Sequence, residues 1–120
     1  MTWKKANKGL IELLEKSVAE YKCDRKVMFG SPTFFVSNNM FAGVHEDTVI
    51  IRLSDSDRRE ILSMHKEVKP FTPMGRTMKE YVALPESICR DAEVWRRWLD
   101  RAYQYAVSLP PKEPKQGIKV

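Results

Sequence analysis

The sequence predicts an α+β fold: an antiparallel β-sheet of about five strands covered by helices, in the order α-β-β-β-β-α-β-α. Three observations predict it. Residues 7–22 and 86–109 carry apolar side chains at helical spacing. Residues 25–53 break into short β-branched and aromatic runs. The connections between those runs are too short for a crossover, so neighbouring strands must be antiparallel.

The elements follow in order. Leu10, Ile11, Leu14, Val18 and Tyr21 place a helix over residues 7–22, with Glu12 and Lys16 paired on its other side. A strand over 25–29 ends at the turn signal Gly30-Ser31-Pro32. A second strand covers 33–37, and Asn38-Asn39 makes a tight hairpin turn because Asn tolerates positive φ. Residues 40–44 return, His45-Glu46-Asp47 turns again, and 48–53 is the strongest strand. In it Val49, Ile51 and Leu53 alternate with Ile50 and Arg52.

Ser54 is a natural N-cap for a second helix running to about Met64, with Ile61, Leu62 and Met64 facing inward. Thr72-Pro73-Met74-Gly75 fits a type I turn, and residues 78–84 form a last strand closed by Pro85. The longest helix starts near Asp91. It buries Val94, Trp95, Trp98, Leu99, Ala102, Tyr105, Ala106 and Leu109 and is stopped by Pro110-Pro111. Residues 1–111 are expected to form a single domain and 112–120 a flexible tail.

The residues resemble the TfoX/Sxy N-terminal domain family. The resemblance runs from Val18 to Leu109. It rests on Met28-Phe29-Gly30, Met40-Phe41-Ala42-Gly43, Arg52-Leu53, Pro70-Phe71-Thr72-Pro73-Met74-Gly75-Arg76, and Lys79-Glu80-Tyr81 through Leu84-Pro85, with Trp98-Leu99 and Ala102 in the last helix. Each piece alone is weak, and the ordered set is specific. The resemblance implies a small α+β domain first known as the front half of bacterial competence regulators. In those proteins a helical domain follows and the whole acts as a transcriptional co-regulator. This sequence ends soon after the first domain, and the resemblance carries no catalytic or ligand residue across.

The net charge is +5 over 120 residues. Residues 1–60 hold ten Lys and Arg against nine Asp and Glu, and residues 61–120 hold eleven against seven. Positive charge so scattered favours solubility and weak attraction to polyanions, and is not the dense stripe of a committed nucleic-acid binder. No run approaches the ~20 apolar residues of a membrane span, and the N-terminus lacks a signal-peptide pattern. A cytoplasmic protein without membrane contact is expected. Cys23 and Cys89 lie far apart without paired spacing, so reduced packing residues are expected.

Candidate sites are few. Arg76, borne on a turn, heads the ligand candidates, with Arg52 and Lys79; together they suit a phosphate or carboxylate. Arg90, Arg97 and Arg101 form a basic side of the last helix, extended by Lys112, Lys115 and Lys119, for nucleic-acid phosphates. Their bland reading is a solvated face laced with ion pairs, since no aromatics interleave with them. Met28, Phe29, Gly30, Pro73, Gly75, Tyr81 and Pro85 are motif residues whose part is mainly structural. Cys89, close to a helix start, has the position of a thiol with a lowered pKa, but packing is its expected role. His45 and His65 lack ligand spacing, so no metal, cofactor or catalytic residue is expected.

The function these residues predict is a non-catalytic regulatory or protein-interaction module acting on a partner protein or on a second copy of itself. The alternative is a DNA-associated transcriptional regulator that holds phosphates through the last helix and tail. A third reading is a small-ligand binder or enzyme built around Arg76.

Overall fold

The computed structural model describes residues 7–28, 31–72 and 78–110. Phe29, Gly30, Pro73, Gly75, Arg76 and the expected tail, residues 112–120, lie outside them. Helix α1 (Lys8–Val18) is followed by strands β1 (Asp24–Met28), β2 (Ser31–Val36), β3 (Asn39–His45) and β4 (Thr48–Arg52). Helix α2 (Asp55–Met64), strands β5 (Lys69–Pro70) and β6 (Tyr81–Pro85), and helices α3 (Glu86–Cys89) and α4 (Ala92–Ser108) complete the order. All pairings are antiparallel, and the six strands lie in the order β1-β2-β3-β4-β6-β5. The expected α+β class and element order hold, with a short β5 and the single turn of α3 as additions.

The core lies between one sheet face and the helices. Register puts Phe34, Ala42, Ile51 and Val82 on that face in one row and Val44, Val49 and Leu84 in the next. Leu10, Leu14 and Val18 of α1 and Trp95, Trp98, Leu99, Ala102 and Ala106 of α4 complete the cluster. At about 25 cal/mol per Å2 of apolar surface, burial of this face is the main source of stability. The indole N–H of Trp98 has no hydrogen-bond partner among the described residues.

α1, α2 and α4 start where a side chain supplies the missing acceptor, whereas α3 follows Pro85 without one. Asn7 Oδ1 accepts from Leu10 N at 3.2 Å, Ser54 Oγ from Asp57 N at 3.3 Å, and Asp91 Oδ1 from Val94 N at 3.3 Å. α1 stops at Val18 rather than continuing to residue 22. The Tyr21 N–H donates to Val18 O at 2.9 Å, and that turn brings the Tyr21 ring 4.4 Å from Tyr103 and 6.5 Å from Phe41. α2 buries only Ile61 fully. Met64, expected inward, is 50% exposed because the helix ends there and a single narrow stripe meets the core.

The β2–β3 turn falls one residue earlier than expected, on Ser37 and Asn38, with φ of 49° and 66°. Two positive φ values match the right-handed twist of the strands. Asn39 is part of β3, and its side-chain amide donates to Pro110 O at 3.0 Å. A register shift between Phe34 and Phe35 leaves Phe41 as an extra residue. This β-bulge lets Phe41 and Ala42 both serve the buried face.

Ser31 and Pro32 also belong to a strand and not, as expected, to a turn. The tight turn at Glu46-Asp47 makes His45 and Thr48 the bonded closing pair, so Val44 turns its backbone groups toward β2. Pro32 stands opposite Val44, one step on from the pair Thr33 and Gly43, and has no N–H to give. The Ser31 hydroxyl donates to Val44 O at 2.9 Å instead and is itself buried.

The second sheet face is not a bare apolar platform. Ile50 sits on it between Gly43 and Ala83 and is 2% exposed. A side chain at Gly43 would stand 3.2 Å from the Met40 methyl and 3.4 Å from that of Thr33, so absence of a Cβ is what lets them close over the sheet. The Phe71 ring meets His45 edge-on at 5.2 Å.

Ser31→Ala is expected to destabilise the domain by about 1–2 kcal/mol, because it strands a buried carbonyl. Chemical denaturation measures it, with Ser63→Ala, whose exposed hydroxyl bonds only within its own helix, as the near-neutral control.

Candidate functional site

Arg52 leaves β4 with a side chain only 19% exposed and is enclosed by three partners. Its Nε donates to Glu80 Oε1 at 2.7 Å, and its Nη2 pairs with the same oxygen. The guanidinium lies 5.6 Å from the centre of the Tyr81 ring and 5.9 Å from that of Tyr105. Tyr105 Oη donates to Glu80 Oε2 at 3.0 Å, and Tyr81 Oη to Met40 O at 3.2 Å.

Burial alone would raise the Glu80 carboxyl. Hydrogen bonds from Arg52 and Tyr105, with the charges of Arg52 and Arg58, outweigh it and hold Glu80 below its ordinary value. Burial pushes the Tyr81 phenol up, and burial followed by the Glu80 hydrogen bond does the same to Tyr105. Both Glu80 oxygens accept hydrogen bonds, so the group ties β4, the start of β6 and α4 together. Of the three expected ligand residues, Arg76 lies outside the described residues and Lys79 is exposed in the turn before β6. Arg52 turns to Glu80. Sequence reasoning missed Glu80 and Tyr105 as its partners, since nothing local links positions 52, 80 and 105.

The arginines of the last helix do not form a free stripe. Arg101 Nη1 reaches Asp57 Oδ1 at 3.1 Å and Glu60 Oε1 at 3.0 Å, with its guanidinium 4.8 Å from the centre of the Trp98 ring. Arg90 is not on α4; it caps α3 and pairs with Glu86 at 2.7 Å. Arg96 pairs with Glu20 at 3.1 Å. Arg97 is exposed and without an ion pair among the described residues, but its groove of about 640 Å3 is also lined by Glu20, Glu93 and Asp100. Lys112, Lys115 and Lys119 lie outside the described residues. Among the described residues the expected basic side thus reduces to one unpaired guanidinium among carboxylates.

Neither cysteine has the lowered pKa of an activated thiol. Cys89 is buried under β6 with Sγ 3.8 Å from Leu84 O. Burial first, then the charge of Glu86, pushes its thiol up to about 12, opposite to the lowering a helix start suggested. Cys23 is half-buried beside a groove of about 380 Å3, and burial and Asp24 raise its thiol as well. Among the described residues no group of His, Cys, Asp and Glu gathers to hold a metal, and no helix is long and apolar enough to cross a membrane.

One feature stays chemically unfinished. Among the described residues β1 pairs on one side only, with β2. Pro32 faces β3, so Val27 opposite it, and Arg25 two residues back, direct their N–H and C=O groups outward along the free edge. Val27 is 62% exposed there. Arg25 is held toward α1 by Glu15, its Nη2 2.9 Å and its Nε 3.2 Å from Oε2. Lys26 takes the other face, with Nζ 5.0 Å from the centre of the Phe35 ring.

The remaining exposed large apolar side chains among the described residues, Met64, Met78 and Val107, lie on separate elements.

Comparison with family models matches residues 14–106 to the TfoX N-terminal domain. No curated protein matches the chain.

A carboxyl held below its ordinary 4.5 stabilises the fold at neutral pH, and that contribution is lost as pH falls from 4.5 through the depressed value. Glu80→Gln should therefore flatten the acid side of the stability curve measured by denaturant titration between pH 3 and 7 (about the window set by ordinary carboxyls). Arg52→Met, leaving the carboxylate half-buried without its ion pair, is expected to cost about 1–3 kcal/mol at neutral pH.

Proposed function

The chain belongs to the TfoX N-terminal domain family, and we propose that it is a regulatory interaction module that works by contact with protein and not by catalysis. The observation that carries this reading is the edge of β1, unpaired among the described residues, which offers backbone donors and acceptors to an extended segment. Charged residues on an edge keep it from pairing indiscriminately, and Asp24, Arg25 and Lys26 stand there. The family's regulators supply the setting: a control protein needs a docking surface more than a reaction centre. Cytoplasmic residence goes with that role.

The charge pattern supports protein over nucleic acid. Phosphate binding relies on cations free to replace released counterions. Arg101, Arg96 and Arg90 already hold carboxylates, so each would have to exchange one anion for another.

A photo-crosslinking residue in place of Lys22, in cells expressing the chain, should yield protein adducts that Val27→Pro abolishes. An adduct-free chain sinks the reading. On a sizing column with light scattering, a short DNA duplex should elute apart from the chain at both ~50 and ~200 mM salt. A complex that dissolves with salt and weakens with Arg97→Ala would put the DNA-associated reading in its place.

A further inference from the structure

We propose that the strand completing the β1 edge is β1 of a second copy of this chain, paired antiparallel about a two-fold axis at Arg25. The inference deepens the interaction reading above and rests on it.

The backbone limits the registers to three. Within β1 only Arg25 and Val27 present groups to the free edge, so an added antiparallel copy must set at least one of them opposite Arg25 or Val27 of its partner. An axis at Lys26 sets that lysine against its own equivalent, at the close spacing of a non-bonded pair, where like charges repel. An axis at Val27 gains one apolar pair and matches no charge. An axis at Arg25 sets Asp24 opposite Lys26 of the second copy and Lys26 opposite its Asp24, two attractive cross-strand pairs on one face. Both residues are exposed and stand on the face away from the helices.

The two arginines that meet in this register are already neutralised. Each Arg25 is held by Glu15 of its own copy at 2.9 Å. The same register places exposed Val27 opposite Cys23 of the second copy, an apolar contact at each end. The sequence of β1 is thus complementary to itself in one register and hostile to itself in the next. The joined sheet runs through both copies, with β1 no longer an edge.

Five residues a strand make a small interface, so the dimer is expected to be weak and to depend on concentration. Light scattering over ~10 µM to ~1 mM, the range for such contacts, should show the mass rise from 14.0 kDa toward twice that value. Val27→Pro should remain monomeric with an unchanged circular dichroism spectrum, because that N–H makes no bond within the sheet. Asp24→Lys and Lys26→Asp should each weaken association roughly tenfold, as two cross-strand pairs turn repulsive. The double swap Asp24→Lys with Lys26→Asp should restore it.

A second probe is independent of affinity. In Val27→Cys the new thiol would face Cys23 of the second copy, and mild oxidation should give a covalent dimer that Cys23→Ser prevents. A chain that is monomeric throughout, or a dimer indifferent to Val27→Pro or to the charge swap, overturns the proposal. A monomeric chain that still gives crosslinked adducts with other proteins, sensitive to Val27→Pro, overturns self-pairing alone. Loss of those adducts as well removes the interaction reading with it.

Discussion

The structure depends on one constraint: a sheet face must be covered by helices whose buried stripes are narrow. α4 lies over β2, β3 and β4, and α1 over β3 and β4. Neither is wide enough alone. The bulge at Phe41 resolves this by letting β3 offer two successive side chains to the same layer. Phe41 then meets the Tyr103 ring at 5.5 Å and Tyr21 at 6.5 Å, so the end of α1, the middle of the sheet and α4 are fixed by one aromatic group. Trp95 adds a hydrogen bond to Ser17 Oγ at 2.7 Å, which sets how the two helices lie against each other. Without the extra residue in β3, Phe41 would point to the other face and the helices would lose their common anchor.

Charge enters after packing. Most of the ion pairs are exposed, and pairs of that kind contribute little to stability. Their effect here is to assign each arginine a place. Arg101 joins α2 to α4, which matters because α2 buries only Ile61. Arg96 joins α4 to the end of α1. Among the described residues these arginines consequently show less usable positive surface than their number suggests. The number of cations in a sequence is a poor guide to polyanion binding when carboxylates are folded against them.

Much of the fold was legible because its signals are local. Alternation marked β4, the spacing of Trp95, Trp98, Leu99, Ala102 and Ala106 marked α4, and Ser54 announced its helix as a cap. The misplacements have local causes that only tertiary structure reveals. Asn39 looked like a turn residue, but its amide is needed by a carbonyl 71 positions away. Pro32 looked like a turn because a proline interrupts a sheet, and the hydroxyl of the preceding serine repairs the interruption. β5, two residues long and containing a proline, has too short a signal for any pattern to detect. The candidate site was hardest to find. Arg52 was picked out as a cation, yet its role is set by Glu80 and Tyr105. The outward direction of Val27's backbone depends on the parity of pairing through two neighbouring strands. No window along the sequence contains that information.

The strand order bears on how the chain is made. β5 precedes β6 in sequence but lies beyond it in the sheet, so β6 must enter between β5 and β4. Until residue 81 is synthesised, the far edge of β4 has no partner. Residues 53–80 separate the two strands, a delay of a few seconds at ~5–20 residues per second on the ribosome. During that interval Val49, Ile50 and Ile51 form a bare, strongly β-forming edge, the kind that aggregates most readily. The polar, acidic start of α2 follows immediately, and charge beside a β-forming segment opposes its aggregation.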